Sequence, residues 1–266
     1  MGKLSIKVHI RNMIILRNSI VIFFVVVCFQ NAEAQYNVQD TTIAALLIDF
    51  QFTLHNPGGD LADRFGSFAS IGGSIGRKTE KNWYFGIEGN YIFGSQVKEL
   101  DMLDAFVDDN GLLLGLAGVF PDVSAQMRGF NLSFNVGKTI PLFGPNDNSG
   151  IYISAGVGFL EHKIKFQDPI NEVPMLASQD YAQGYDRLCN GVMLSQFVGY
   201  RYMGNRRLLN FIIGFDFRQG FTASRRDFDY DTGFRNTDQR VDLLYGLKAG
   251  FTLPLYKRAP EEFYYY

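Results

Sequence analysis

The chain has 266 residues, 25 basic against 27 acidic, and 15% of it is aromatic. That mild acidity argues against a phosphate-tracking nucleic-acid surface. With 28 glycines and 25 phenylalanines, the composition favours strands and close backbone approach over a helical bundle.

Residues 1–34 read as a cleaved secretory leader. Lys3, Lys7, Arg11 and Arg17 form a basic start, Ile20 to Phe29 an apolar run, and Ala32-Glu33-Ala34 an A-x-A cleavage site. The run is too short for the ~20 residues of a spanning helix. Cys28 is no lipidation site, because Val27 stands where that signal needs a small residue. Removing a leader with four basic residues and one acidic takes the net charge from −2 to −5. It also leaves Cys189 as the sole thiol, which excludes an internal disulfide. With no histidine near it in sequence, Cys189 reads as a small buried hydrophobe.

Eight period-two segments follow. Segments 42–54, 68–76, 82–94 and 129–140 set Phe50, Ile71, Phe85 and Phe134 on one face against Asp49, Ser70, Glu88 and Asn131 on the other. Segment 150–164 alternates Ile153, Val157 and Phe159 with Ser154, Gly156 and Gly158. Segment 191–203 is the least clean, since Gln196 interrupts its apolar face. In 209–220, Phe211, Ile213, Phe215 and Phe217 oppose Gly214, Asp216 and Arg218. Segment 240–256 sets Leu247 and Phe251 against Asp242 and Lys248. These segments exceed the ~5–6 residues of a globular strand and suit the ~9–11 of a tilted membrane-spanning one.

The connections sharpen the reading. GRKTEKN, PLFGPNDNSG and GNRR are short. HNPGGDLADRFGS, the stretch 94–128, the stretch 165–190 and TASRRDFDYDTGFRNTDQ are longer, and the two kinds alternate strictly. The pattern predicts an all-β, eight-stranded antiparallel transmembrane barrel over residues 35–266, with short periplasmic turns, long extracellular loops and both termini periplasmic. The polar face is mostly Gly, Ser and Asn, as suits the crowded interior of eight strands. GLLLGLAGVF at 111–120, the most apolar later stretch, is too short to span as a helix. The terminal aromatic Tyr266 fits the aromatic ends of exported barrels.

On segments such as GKTIPLFGPNDNSGIYISAGVGFL and GFTLPLY, residues 42–266 resemble the small OmpA-like and OmpX-like barrels, especially those of Bacteroidota. The resemblance implies a Gram-negative outer membrane and a closed barrel, but no single activity. Full-length OmpA-like proteins also carry a peptidoglycan-binding domain, for which no room is expected after the eighth strand.

In such a barrel Glu88, Asp216 and Asp242 face inward with Arg218 and Lys248 as counter-ions, because buried carboxylates must be paired or neutral. That network reads as a structural plug. Asp227, Asp229 and Asp231 have the spacing of oxygen ligands for Ca²⁺, but Thr232 stands where a helical Ca²⁺ loop needs Gly, and Arg225 and Arg226 are there to neutralise them. Tyr181, Tyr185, Asp186 and Arg187 mix aromatic and charged groups as contact surfaces do. His162, beside Glu161, is the one position where rim catalysis is worth testing, while His55 reads as solvent-facing. No phosphate loop, zinc spacing or dinucleotide fingerprint is present, so no cofactor is expected.

The expectation is a non-enzymatic structural or accessory barrel, anchored in outer-membrane lipid, whose loops contact a partner. Candidates are another outer-membrane protein, a secretion or assembly complex (type IX secretion by analogy) or an extracellular ligand, and not nucleic acid. An outer-leaflet lipid hydrolase or acyltransferase centred on His162, and a narrow pore, stay open as alternatives.

Overall fold

The computed structural model describes residues 42–99, 102, 123–167, 173, 179–205 and 209–256. The leader, 111–120 and Tyr266 lie outside them. Alternating side chains produce strands β1 (Ala45–Gly59), β2 (Phe68–Lys78), β3 (Trp83–Gly94), β4 (Ser124–Ile140), β5 (Gly150–Gln167), β6 (Cys189–Met203), β7 (Asn210–Ser224) and β8 (Gln239–Tyr256). Each pairs antiparallel with the next, and β8 returns to β1 to close the ring. Two short helices, α1 (Asp60–Arg64) and α2 (Gln179–Ala182), lie in the first and third loops.

The alternation fixes which side is which. Phe50, Leu54, Ile71, Phe215 and Leu247 are each more than half exposed on the outside. Their strand neighbours Asp49, Ser70, Asp216 and Lys248 are buried inside. Apolar side chains cover the outside from β1 to β8, far beyond the scattered leucines of a soluble surface. A closed ring leaves no edge carbonyls or amides unpaired in hydrocarbon. This is the wall of a lipid-spanning barrel.

Several strands run past their apolar patterns toward the loop end. β4 starts at Ser124, before the segment read from 129, and β5 continues to Gln167. Gln126, Arg128, Lys165 and Gln167 lie in these extensions, where the ladder persists above the apolar belt. β1 likewise continues through Pro57 to Gly59, pairing with β8. The first loop therefore shrinks to 60–67, no longer than the 141–149 turn. The strict alternation of long and short connections does not hold at this loop.

The glycines of the lumen make room for rings. Gly76 and Gly86 are register partners beneath Tyr84, and a Cβ on either would come within 2.4 Å of its ring or hydroxyl. Gly199 and Gly214 are paired in the same way beneath Phe197. Both rings join Leu47, Tyr152, Met203 and Ile212 in an apolar layer toward the short-turn end. A second apolar layer, with Phe68, Ile92, Met127, Leu160 and Leu244, lies toward the loops. Leu61 and Phe65 reach into it from α1 and the residue that follows.

Candidate functional site

Between the apolar layers lies a ring of charge. Glu88 is on β3 and Arg218 on β7, four strands away in either direction, so their ion pair crosses the lumen. Arg218 Nε also meets Asp216 at 2.6 Å. Lys248 Nζ lies 2.6 Å from Asp216 and 2.9 Å from Glu88. Two cations thus face two carboxylates. Amides extend the layer: Asn90 donates to Glu88 at 3.0 Å and to Asn131 at 2.9 Å, and Gln51 donates to Asn90 at 2.9 Å. A cavity beside Glu88 and Lys248 holds only about 20 Å³, room for roughly one water. Below it the Arg201 guanidinium sits 3.8 Å from the Tyr152 ring centre and 4.9 Å from that of Tyr84. Such stacking supports a cation where water is excluded.

Asp242 does not join that ring, contrary to the sequence expectation. Its place on β8 is nearer the loops than Lys248, and there it meets His162 Nε2 at 2.8 Å and the Thr222 hydroxyl. His162 and Asp242 are fully buried, with Phe65 packed edge-on to the imidazole at 5.8 Å. Both His162 and Thr222 bond the same carboxylate oxygen, Oδ2. The imidazole therefore does not stand between hydroxyl and acid, as a nucleophilic relay requires. The His162 Nδ1 atom has no hydrogen-bond partner. His55 faces inward, not to solvent: it bonds Ser70 Oγ at 2.9 Å and stacks on Phe68 at 5.0 Å.

No protein-family model matches the chain, and no curated protein matches it. Among solved structures it is similar to Ail, the attachment invasion locus protein of Yersinia pestis, at 10% identity over 79% of this chain and 99% of that one, with a TM-score of 0.40. It is similar to the N-terminal β-barrel domain of Pseudomonas aeruginosa OprF at 13% identity, over 77% and 96% of the two chains, with a TM-score of 0.34. The outer membrane protein AlkL, solved in lipid bilayers, shares 11% identity over 88% of this chain and 100% of that one, with a TM-score of 0.35. The chain itself is a closed eight-stranded antiparallel barrel.

Above the barrel's loop-end layer, all four loops meet at Arg187. Its Nη1 lies 2.8 Å from Asp229 and its Nη2 2.5 Å from Asp231, both in the fourth loop. Its Nε is 3.6 Å from Glu99 of the second loop. Glu99 also holds Arg64 of α1 at 2.7 Å, and Arg64 Nη1 donates to the Arg187 carbonyl at 3.2 Å and to Cys189 Sγ at 3.4 Å. Burial opposes the Arg64 charge, yet Cys189 and Glu99 more than offset it and hold its pKa above the ordinary arginine value. Burial pushes the Asp229 carboxyl up, with Arg187 pulling the other way.

This clasp corrects two readings of the loops. A guanidinium stands where Asp229 and Asp231 would have held a cation, and Asp227 is not part of the clasp. Arg225 and Arg226 do not neutralise that run: Arg226 holds Asp186 at 2.5 Å, and Arg225 donates to Asn190. Of the proposed contact residues, only Tyr181 is exposed. Tyr185, Asp186 and Arg187 are buried in internal contacts. Among the described residues of the long loops, the exposed aromatics are instead Tyr181, Phe228, Tyr230 and Phe234. Tyr230 packs on Tyr181, Tyr185 and Phe228, with ring centres 5.6 to 6.2 Å apart. Strand periodicity does not mark Arg64 or Phe65, although Leu61 and Phe65 show the i, i+4 spacing of one helical face.

Proposed function

We propose that the protein is an outer-membrane barrel with a sealed lumen, and that its activity is contact by the loop end with a partner. Its role on this reading is structural or accessory, its turns are periplasmic and its loops extracellular. The observation that carries it is a contrast in how polar and apolar groups are used. Within the lumen the charges are spent on one another. At the loop end Arg187 ties four loops into one platform, yet the platform leaves Tyr181, Phe228, Tyr230 and Phe234 in solvent. Rigid aromatics lose little entropy on binding and anchor protein contacts. A photo-crosslinking side chain at Phe234, tested on intact cells, should give one discrete adduct. Replacing Tyr181 and Tyr230 by Ser should abolish it. A bare platform, or an adduct indifferent to those substitutions, sinks the reading, as does a steady conductance in planar bilayers.

A further inference from the structure

Gln196 and Gln219 both point outward, in the middle of an otherwise apolar wall. Along β6, Gln196 stands between Leu194 and Val198, and along β7, Gln219 stands between Phe217 and Phe221. The other polar side chains on the outer face, such as Arg77, Lys138, Arg128 and Lys163, lie toward the strand ends. The two amides exchange hydrogen bonds: Gln196 Nε2 donates to Gln219 Oε1 at 2.9 Å, and Gln219 Nε2 donates to Gln196 Oε1 at 2.9 Å. An amide has two N–H donors and two acceptor lone pairs. The exchange uses one of each, leaving a donor and an acceptor on both residues facing hydrocarbon, where unmet polar groups are costly. On strands with wholly apolar alternatives available, that cost calls for an occupant.

We propose that this β6–β7 wall is a homodimer interface within the membrane, with the amide pair of a second copy meeting the free groups of the first. The chemistry favours a second copy over a different chain. What remains free is a matched set of donors and acceptors, complementary to itself under two-fold rotation, and a two-fold interface presents the same patch twice. Ala155 is the register partner of Gln196 on β5. Its small side chain lets a facing wall approach the amides. Leu194 and Val198 are well exposed around them and supply the packing. The pair adds in-plane association to the loop-end role, and rests on the membrane-spanning reading.

The test uses the whole protein in lipid vesicles, labelled for energy transfer and diluted with lipid. The wild type should self-associate, and Gln196→Leu with Gln219→Leu should weaken association by tenfold or more. Ile71→Leu, on the β2 wall, should leave it unchanged. Leu194→Cys should cross-link to itself in the membrane and Ile71→Cys should not. A difference between boiled and unboiled migration on gels reports a folded barrel in every variant. A folded barrel that stays monomeric at all dilutions, or a dimer indifferent to the two leucines, overturns the interface alone. Capture of a different chain through the same glutamines overturns the second-copy assignment. Identical migration before and after boiling, with no lipid association, overturns both this inference and the membrane reading.

Discussion

Two of the charge networks among the described residues centre on Arg218 and on Arg187, and they are built in opposite ways. In the lumen, Arg218 meets Glu88 and Asp216 from strands whose register is fixed by backbone ladders. At the loop end, Arg187 meets Glu99, Asp229 and Asp231 across segments that no continuous ladder joins among the described residues, only single contacts such as the Phe65–Val97 bridge and the bond from the Tyr230 amide to the Gly184 carbonyl. The first network is balanced, two cations against two carboxylates. The second is not: Arg64 and Arg187 face three carboxylates. A network held by a scaffold contributes to the barrel's stability. One that holds its own scaffold governs the shape of the loops instead.

The largest effect should come from breaking the inner network. Arg218→Met leaves Glu88 and Asp216 with Lys248 as their only cation. Removing one partner of a buried ion pair costs about 3–5 kcal/mol. Urea unfolding in lipid, followed by the shift in gel migration, should show a loss of that order. Adding Glu88→Gln should recover part of it by restoring one cation to one carboxylate. A loss below about 1 kcal/mol would mean that water reaches these groups, against the narrow cavity beside them.

Arg187→Ala should have a smaller and more local effect, about 1.5–3 kcal/mol, the range for hydrogen bonds to charged groups. Proteases should then cut the fourth loop faster while boiled and unboiled migration stays as in the wild type. If the barrel itself loses equal stability, the two networks are one unit and the contrast between them fails.

These networks also mark how far the sequence could be read. Period-two alternation decides the face of every strand residue, so Glu88, Asp216, Arg218 and Lys248 were bound to point inward. It does not give height along the barrel. Asp242 shares the face of Lys248 but sits six residues nearer the loops on β8, which delivers it to His162 instead. Height depends on strand pairing across the ring, and pairing distance is not a local property of the chain. Loops carry no such period at all. Arg187, Glu99 and Asp229 come together only through tertiary packing, and the exposed residue at 181 could not be told from the buried one at 185. The Gln196 break in β6 was legible, but its partner on β7 was not, since an outward Gln219 gains meaning only beside it.

His162 sets a limit between the two networks. His162→Ala takes one hydrogen-bond partner from the buried Asp242, which keeps Thr222 and the nearby Arg240. A loss of about 1–3 kcal/mol follows from leaving a buried acceptor under-satisfied. The loop-end adduct and the self-association described above should survive it. Lipid deacylation or acyl transfer by the wild type that vanishes with His162→Ala would reverse the assignment of this group as structural.

The smallest effect concerns acid. The Asp229 carboxyl lies against Arg187, with Asp231 beside it and Arg64 further in. Burial is the leading influence and pushes its pKa up, Asp231 adds to that, and Arg187 and Arg64 oppose it. The folded loop therefore binds this proton more tightly than the unfolded loop does. The stability linked to it is fully present below the ordinary aspartate range and is lost as pH rises through the raised value. The Gly233 amide donates to the Asp229 carbonyl at 2.9 Å and is a local reporter. Its hydrogen-exchange protection, corrected for the intrinsic rate, should fall slightly between about pH 4 and about pH 7, and Asp229→Asn should flatten that trend. Protection that rises over the same interval would show that Arg187 outweighs burial, and that the loop network is stabilised by charge as the inner one is.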